Sequence, residues 1–196
     1  MAYTIEEIND WLKEKLDEER YEHSIGTAEC AKELALKFGV DPEKAYFAGL
    51  IHDCAKCMPR EEMDDLLHFA QLEKGEFENP KTHHAPVGVY IAQKELGVDD
   101  EEILSAIRWH TIGKLDMSLF DMIIFLADKI EVKTRPAEIR EPITKILEEG
   151  GGLKEALLLC YKNTIKSLVD RDLTICTPTI DIYNELIKHL KIDYTL

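Results

Sequence analysis

Six histidine and aspartate residues of this sequence have side chains that could bind metal ions together. His52 and Asp53 are adjacent and follow the apolar run 45–51, where a hydrophobic stretch meets solvent. The full set is His23, His52, Asp53, His84, His110 and Asp128. Imidazole and carboxylate ligands suit first-row transition ions such as iron, manganese and zinc. The six residues therefore predict a transition-metal site, on the condition that the fold brings them together.

The elements that must position these residues are predicted to be α-helices along the whole chain. Thr4 and Glu7 form a capping box ahead of apolar residues at helical spacing, and Gly39 ends the second helix. Asp41-Pro42 begins a third helix, which runs into His52-Asp53. Further signals predict a short helix after Pro59 and a loop over 75–81, followed by helices over about 83–96, 99–110 and 118–130. Three more helices are predicted toward the C-terminus, with boundaries at 141–142, 150–152 and 177–178.

The sequence shows no convincing strand pattern or repeat. At 196 residues, with 45% hydrophobic and 32% charged residues, the chain can bury a sizeable core without disulfide bonds. We therefore predict an all-α fold in a single domain over residues 1–196. This helical bundle would have its metal-binding core at about 20–135 and would include C-terminal helices at 140–190.

The charge and hydropathy of the chain exclude some classes of partner. A formal net charge of −15 opposes binding to long nucleic acids, which favour stripes of Lys and Arg. A small phosphorylated ligand stays possible, because bound cations and a few local Lys and Arg can reverse the sign inside one pocket. No apolar run approaches the roughly 20 residues of a membrane span, and residues 1–7 are acidic, unlike a signal peptide. We expect a cytoplasmic protein that does not contact membranes.

The five cysteines include the pair Cys54 and Cys57 in C-x-x-C spacing. A redox pair would need a strand-rich, thioredoxin-like context, and a zinc site would need a second Cys or His pair at ligand spacing. Neither is visible in the sequence. We interpret the pair as two reduced thiols on a turn.

Five segments, taken in order, resemble a known group of enzymes. They are residues 20–24, 52–56, 84–88, 106–113 and 126–131. The order of His23, His52-Asp53 and Asp128 is similar to that in the HD-domain superfamily, all-helical metal-dependent phosphohydrolases named for the His-Asp doublet. The five segments are similar to its YqeK-type family, over about residues 4–190.

The resemblance implies both a metal centre and an activity. In such a protein His23, His52, Asp53 and Asp128 would hold one metal ion. His84 and His110 would complete a second site, with Asp53 bridging the two ions. Members of the family contain a di-iron centre and hydrolyse diadenosine tetraphosphate symmetrically to two ADP. One local departure is that His83 precedes His84. We assign His84 as the ligand because it stands directly before Ala85-Pro86, and His83 is the alternative.

A pair of bound cations suits the hydrolysis of phosphoanhydrides. Two ions offset the negative charge that repels nucleophiles, and they lower the pKa of a shared water so that hydroxide exists near neutral pH. No Ser, Cys or Thr nucleophile is then required. Iron follows from the resemblance alone, since manganese, cobalt and zinc suit the same ligands.

Several basic residues near the predicted ligands could contact substrate phosphates. Lys56 lies four residues after His52, so it would share a face with that residue if the helix continues, and Arg108 could grip phosphate bidentately. We predict catalytic roles for Asp53, Lys56 and Arg108. Further phosphate candidates are Arg20, Thr111 and Arg135. The alternative for these cations is an ordinary surface ion pair.

Other functions and assemblies stay open at this point. The same metal chemistry could act on mononucleotides or guanosine polyphosphates, and a catalytically silent nucleotide-binding domain is a further alternative. Six competent ligand residues argue against the silent domain. The aromatic residues Tyr3, Trp11 and Tyr194 near the termini could contribute to a homodimer contact, although scattered aromatic residues are weak evidence.

Overall fold

The computed structural model describes residues 3–70, 72 and 79–190, and within them all regular secondary structure is helical. The ten α-helices are α1 (Ile5–Lys15), α2 (Glu18–Phe38), α3 (Pro42–Ile51), α4 (Arg60–Leu66), α5 (His84–Lys94), α6 (Glu101–Trp109), α7 (Leu119–Ile130), α8 (Ala137–Glu148), α9 (Leu153–Asp170) and α10 (Thr177–His189). Short 3₁₀ turns lie at Leu67–Phe69 and Pro80–Thr82. The predicted all-α fold is confirmed.

Local capping chemistry sets most of the helix boundaries. The Thr4 side chain accepts a hydrogen bond from the Glu7 amide, and the Glu7 carboxylate accepts one from the Thr4 amide, as the capping box predicts. Gly39 ends α2 in the left-handed conformation at φ 73°, which glycine adopts without steric cost. Asp41 accepts hydrogen bonds from the amides of Glu43 and Lys44 and so caps α3. These signals are local, and this is why the sequence located them.

The centre of the core is formed by α2, α3 and α7. Helix α2 packs most extensively against α3 and next against α7. Gly49 allows the close crossing of α2 and α3, because a Cβ there would lie 2.9 Å from the Ala28 Cα atom. Phe47, Ile51 and Leu126 are among the fully buried side chains of this region. The residues that follow these helices are therefore held on a rigid, well-packed support.

Two local features differ from the sequence predictions. Helix α3 ends at Ile51, and residues 52–57 form consecutive turns, so the helix does not continue to Lys56. Pro142 lies inside α8, which begins at Ala137 after the N-cap Pro136, whereas the Glu141-Pro142 pair predicted a boundary. The missing amide of Pro142 removes one intrahelical hydrogen bond in an early turn of α8, and the helix tolerates this loss.

The described residues bear on three further expectations. Among them no helix is both long and apolar enough to cross a membrane. All five cysteines lie in this part of the chain and are free thiols, with Cys54 and Cys57 on the turn after α3. Residues 75–78 of the predicted loop and Tyr194 of the predicted dimer contact lie outside the described ranges.

Candidate metal centre

The fold brings all six predicted ligands to one buried place. His23 lies within α2 and Asp128 in the last turn of α7. His52 ends α3, His110 ends α6, and His84 is the first residue of α5. Each of the six side chains belongs to a residue that is at most 4% exposed. Buried imidazole and carboxylate groups this close together need a common partner, because burial of unpaired polar groups is costly.

The ligand atoms form two compact groups that share one aspartate. His23, His52 and Asp53 make the first group, and Asp53, His84 and His110 make the second, with each group's atoms within 4.8 Å of one another. Asp128 lies beside the first group, with its Oδ1 2.9 Å from His23 Nε2. Asp53 Oδ1 lies 3.1 Å from His84 Nε2 in the second group. This division matches the one that the resemblance implied.

Three of the four histidines are oriented by the carbonyl group three residues earlier. His52 Nδ1 lies 2.6 Å from the Gly49 oxygen, and His110 Nδ1 lies 2.7 Å from the Ile107 oxygen. His84 Nδ1 lies 2.9 Å from the oxygen of residue 81. A carbonyl oxygen only accepts, so each Nδ1 carries the hydrogen and each Nε2 presents its lone pair to the centre.

His23 is oriented by a carboxylate that the sequence analysis did not single out. Its Nδ1 lies 3.1 Å from Oε1 of Glu131, a fully buried residue at the end of α7. Glu131 follows Asp128 by three residues, and residues three apart share a helix face. That spacing was the available sequence signal, and it did not identify a partner 108 residues away along the chain.

The unpartnered nitrogen at the centre tests whether these residues fit a metal ion. His52 Nε2 is buried and has no hydrogen-bond partner among the described residues. His84 Nε2 and His110 Nε2 lie 3.1 Å apart, and both face Asp53 Oδ1. Lone pairs and an anionic oxygen at this spacing repel one another unless a cation lies among them. The donor set fits transition-metal ions.

Electrostatics keep the two carboxylates and His52 in the forms that bind cations. Burial opposes ionisation of Asp53, but the neighbouring imidazoles of His52, His110 and His84 hold its pKa well below the usual range. Burial likewise opposes ionisation of Asp128, but Lys129 and His23 hold its pKa well below normal. Burial lowers the pKa of His52 to about 3. The carboxylates are therefore anionic and His52 is neutral at pH 7.

Cationic side chains surround the two ligand groups. Arg135 hydrogen-bonds Asp128 Oδ1 and has its Nη2 3.2 Å from His23 Nε2. Lys56 Nζ lies 3.1 Å from His84 Nε2, although the helix that was expected to carry it ends at Ile51. Arg20 Nη1 lies 3.8 Å from Asp53 Oδ2. Three of the predicted phosphate-binding residues thus lie at the centre.

A pocket of about 540 Å³ opens beside the second ligand group. Its lining residues are Arg20, Lys56, Met58, Arg60, Met63, Asp64, Pro80, Lys81, His83 and His84. Four of these are Lys or Arg and one is Asp, so the local charge is positive although the whole chain carries −15. The sequence analysis missed Arg60 and Lys81, which come from segments with no ligand motif.

The remaining predicted residues lie elsewhere around the centre. The Arg108 guanidinium stacks on the neighbouring Trp109 ring, 4.4 Å from its centroid. Thr111 lies in the turn after His110. Neither is among the described residues that line the 540 Å³ pocket, so their contact with phosphate stays a prediction. Of the adjacent histidines, His84 faces the ligand atoms and His83 lines the pocket.

Comparison with known proteins agrees with this geometry. The model of the HD domain family matches residues 20–133. The chain is 38% identical to "Bis(5'-nucleosyl)-tetraphosphatase, symmetrical" of Bacillus subtilis, over 93% of this chain and 97% of that protein. A protein of the same name from Staphylococcus aureus is 34% identical, over 92% of this chain and 93% of that protein.

A solved structure has the same fold. The crystal structure of a predicted HD superfamily hydrolase involved in NAD metabolism from Clostridium acetobutylicum matches with a TM-score of 0.88 at 36% identity. The match covers 96% of this chain and 100% of that chain.

The all-α fold and the buried centre with its His-Asp doublet define the class as HD-domain proteins. This chain belongs to the HD domain family, together with relatives that are named symmetrical bis(5'-nucleosyl)-tetraphosphatases.

Proposed function

We propose that this protein hydrolyses dinucleoside polyphosphates and cleaves diadenosine tetraphosphate symmetrically to two ADP. The observation that carries the proposal is the buried set of six candidate ligands, in which Nε2 of His52 has no hydrogen-bond partner within the described part of the chain. The names of the relatives that match over nearly their whole length support this substrate. In the reaction, the oxygen of water bonds to one of the two inner phosphorus atoms. The bond from that phosphorus to the central bridging oxygen breaks, so each ADP leaves with one of these two oxygens.

Two ions would be held by the two ligand groups. His23, His52 and Asp128 would hold the first ion, His84 and His110 would hold the second, and Asp53 would be shared. Two carboxylates among six ligands would leave a pair of divalent ions with a net positive charge. Iron is the metal that we propose, from the family resemblance, and manganese, cobalt or zinc would also suit these ligands. When bound, such ions supply charge that offsets the phosphates and acidify water near neutral pH.

The protein's own cations would bind the polyphosphate. Lys56 and Arg20 lie at both the ligand atoms and the 540 Å³ pocket, so they can hold a phosphoryl group beside the metal centre. Arg60 and Lys81 extend the positive lining away from the centre. A substrate that carries several consecutive phosphates fits this arrangement better than one with a single phosphate, because the cations are spread along the pocket.

A neutral His84 imidazole would keep the second ligand group available for cations. Burial lowers the pKa of His84 to about 4, so protons do not compete for its nitrogen near pH 7. Arg135 fixes the Asp128 carboxylate through a hydrogen bond. We propose that Arg135 also meets a substrate phosphate, since its guanidinium has more donors than that bond uses.

The proposal includes a small nucleotide as the partner of the site. The net charge of −15 opposes long nucleic acids. A cytoplasmic location and a homodimer stay predictions. Sedimentation analysis of the purified chain would test the dimer.

The direct test of the function is product analysis. Anaerobically purified protein would be analysed for metal content and then incubated with diadenosine tetraphosphate, and we expect ADP as the sole nucleotide product. ATP plus AMP would show asymmetric cleavage and contradict the proposal. A panel with ADP, GDP and a guanosine polyphosphate would support the alternative substrates if one of them were cleaved and diadenosine tetraphosphate were not.

The shared aspartate tests the metal dependence of the reaction. We expect Asp53→Ala to lose both ions and to reduce kcat by more than roughly 100-fold. Removal of a residue that only supports a metal ligand costs up to about 100-fold, so removal of a shared ligand should cost more. Glu138→Gln on the exposed side of α8 is the matched loss of one negative charge and should change neither quantity. Full activity of Asp53→Ala without bound metal would exclude the mechanism.

A further inference from the structure

Glu131 is a buried carboxylate for which the proposed reaction provides no role. It is 0% exposed and forms the C-terminal cap of α7, three residues after Asp128. A buried charge costs several kcal/mol unless it is paired and hydrogen-bonded. The partners of Glu131 therefore indicate what this costly group does.

The Glu131 carboxylate accepts hydrogen bonds on both oxygens. His23 Nδ1 lies 3.1 Å from Oε1, and the Lys133 amide donates to Oε2 at 2.6 Å. The amide of Thr134 donates at 3.1 Å, and its hydroxyl group donates to Oε1. The backbone turn after α7 thus fixes the carboxylate, and the carboxylate faces the ring of His23.

The opposite helix leaves a space for this carboxylate. Gly26 lies on α2 three residues after His23, on the same face of the helix. A Cβ atom at Gly26 would lie 2.3 Å from Glu131 Oε2, closer than atoms can approach. The absence of a side chain at Gly26 is therefore what lets Glu131 reach His23.

The position of His23 in its helix explains why a separate acceptor is needed. His52, His84 and His110 lie at helix ends or turns, and each donates to the carbonyl group three residues earlier. His23 lies in the interior of α2, where carbonyl groups are bonded to amides four residues later. No local carbonyl is available to orient its ring, so the acceptor comes from α7.

We infer that Glu131 is a positioning residue that holds the His23 ring with Nε2 facing the metal centre. Because a carboxylate only accepts, it takes the hydrogen of Nδ1 and turns Nε2 toward Asp128, 2.9 Å away, so that Nε2 would be the atom offered to a metal ion. Carboxylates that support a metal-binding histidine in this way raise its basicity and fix its orientation. The inference rests on the proposed metal site and adds a residue to it.

Metal affinity is the quantity that tests this inference. Wild-type and Glu131→Gln proteins would be loaded with Mn²⁺ and titrated with a chelator, and the released ion would be measured. We expect one ion to bind about 10- to 100-fold more weakly in the variant, as for other residues that support ligands. The second ion, away from His23, should keep its affinity.

A second variant displaces the carboxylate without removing its charge. Gly26→Ala should weaken the same ion as Glu131→Gln, because the new methyl group occupies the position of Oε2. In a Glu131→Ala background the clash with Oε2 is gone and the nearest remaining atom is Cβ of Lys133 at 3.3 Å, so Gly26→Ala should then have little further effect on affinity. Exposed Glu138→Gln is the matched control for the loss of charge.

The outcomes separate this inference from the proposed function. If Glu131→Gln unfolds more readily but holds both ions within twofold of wild type, Glu131 is only structural and the inference is wrong. If Glu131→Gln does not fold, equal affinities in Gly26→Ala and wild type overturn it. A wild-type protein that binds two ions but does not cleave diadenosine tetraphosphate contradicts the proposed function and leaves the Glu131 inference intact.

Discussion

His84 Nε2 and His110 Nε2 lie 3.1 Å apart, although neither nitrogen can donate a hydrogen bond to the other. Each ring donates its Nδ1 hydrogen to a backbone carbonyl oxygen on its far side, and the N···O distance is 2.9 Å for His84 and 2.7 Å for His110. Two lone pairs therefore face each other in a buried place, beside the anionic Asp53. The packing of α5 against α6 holds the pair together and so builds a site for a cation.

This relationship predicts different effects for the adjacent histidines 83 and 84. His84→Gln should lose one of the two ions, because the second ligand group then retains only Asp53 and His110. His83→Gln should keep both ions, since His83 lines the pocket outside that group. Metal content measured on the two purified variants checks the prediction. Loss of metal from His83→Gln with full metal in His84→Gln would reverse the assignment of the ligand.

The basic pocket predicts graded effects on substrate affinity. Lys56 is half-buried, and a hydrogen bond to a charged group is worth about 1.5–3 kcal/mol, so Lys56→Gln should raise KM about 10- to 100-fold. The Arg60 side chain is 83% exposed, and exposed pairs contribute only about 0.2–1 kcal/mol, so Arg60→Gln should raise KM at most about fivefold.

Steady-state kinetics at several salt concentrations checks this grading. Lys145→Gln removes an exposed charge from α8, at a residue outside the pocket lining, and should leave KM unchanged. An Arg60→Gln effect larger than that of Lys56→Gln would place the phosphates nearer to α4 than we propose.

Close helix packing predicts opposite outcomes for two glycines inside helices. Alanine favours a helix interior by roughly 1 kcal/mol relative to glycine. A Cβ at Gly49 would lie 2.9–3.0 Å from backbone atoms of residues 27 and 28, which cannot move easily, so Gly49→Ala should destabilise the fold by about 1–3 kcal/mol. A Cβ at Gly88 would lie 3.4 Å from the nearest atom, a side-chain methyl of Ile107, and 3.9 Å from the nearest backbone atom, so Gly88→Ala should be neutral or stabilising.

Denaturant unfolding of the two glycine variants gives the comparison. Gly49→Ala should also weaken metal binding, since the Gly49 carbonyl orients His52. If both variants were equally stable, the α2–α3 crossing would be looser than the structure describes.

The half-buried Cys30 thiol and the buried Cys160 thiol predict pH-dependent labelling rates. Burial raises the pKa of Cys30 and of Cys160 to about 12, so both are protonated near neutral pH. Relative to an unfolded thiol of pKa about 8.5, labelling by iodoacetamide at pH 8 should be roughly 10³-fold slower, because the thiolate is the nucleophile.

The rate for native protein should rise about tenfold for each pH unit until the thiol pKa is approached. Mass spectrometry of labelled peptides from native and urea-unfolded protein measures both rates. Equal rates at pH 8 would contradict the burial of these thiols.

Much of the fold could be predicted because its signals are local. The Thr4 capping box, Gly39 and the Asp41-Pro42 pair all act within a few residues, so they correctly located the start of α1, the end of α2 and the start of α3. The predicted boundary at Pro142 was wrong because the packing of α8 outweighed the loss of one hydrogen bond. Hydrophobic periodicity could not predict the path of the chain after Ile51, because consecutive turns have no repeating pattern.

The six candidate ligands were visible in the sequence because only a few residue types bind transition metals, and all but His23 stood at or next to helix ends. The resemblance to a known family supplied the division of these residues between two metal ions. The sequence did not show that Glu131 supports His23, that Arg60 and Lys81 line the pocket, or that Lys56 reaches His84 from a turn.

Residue types and local spacing thus determined the helices and the kind of chemistry available to this protein. The tertiary structure decided which histidine nitrogens face one another, that Asp53 belongs to both ligand groups, and that basic side chains line one pocket of an acidic chain. The physical reason is distance along the sequence, because His23 and Asp128 are 105 residues apart and only the crossing of α2 with α7 sets the 2.9 Å between them. Helical periodicity relates residues three or four apart and carries no information on such contacts.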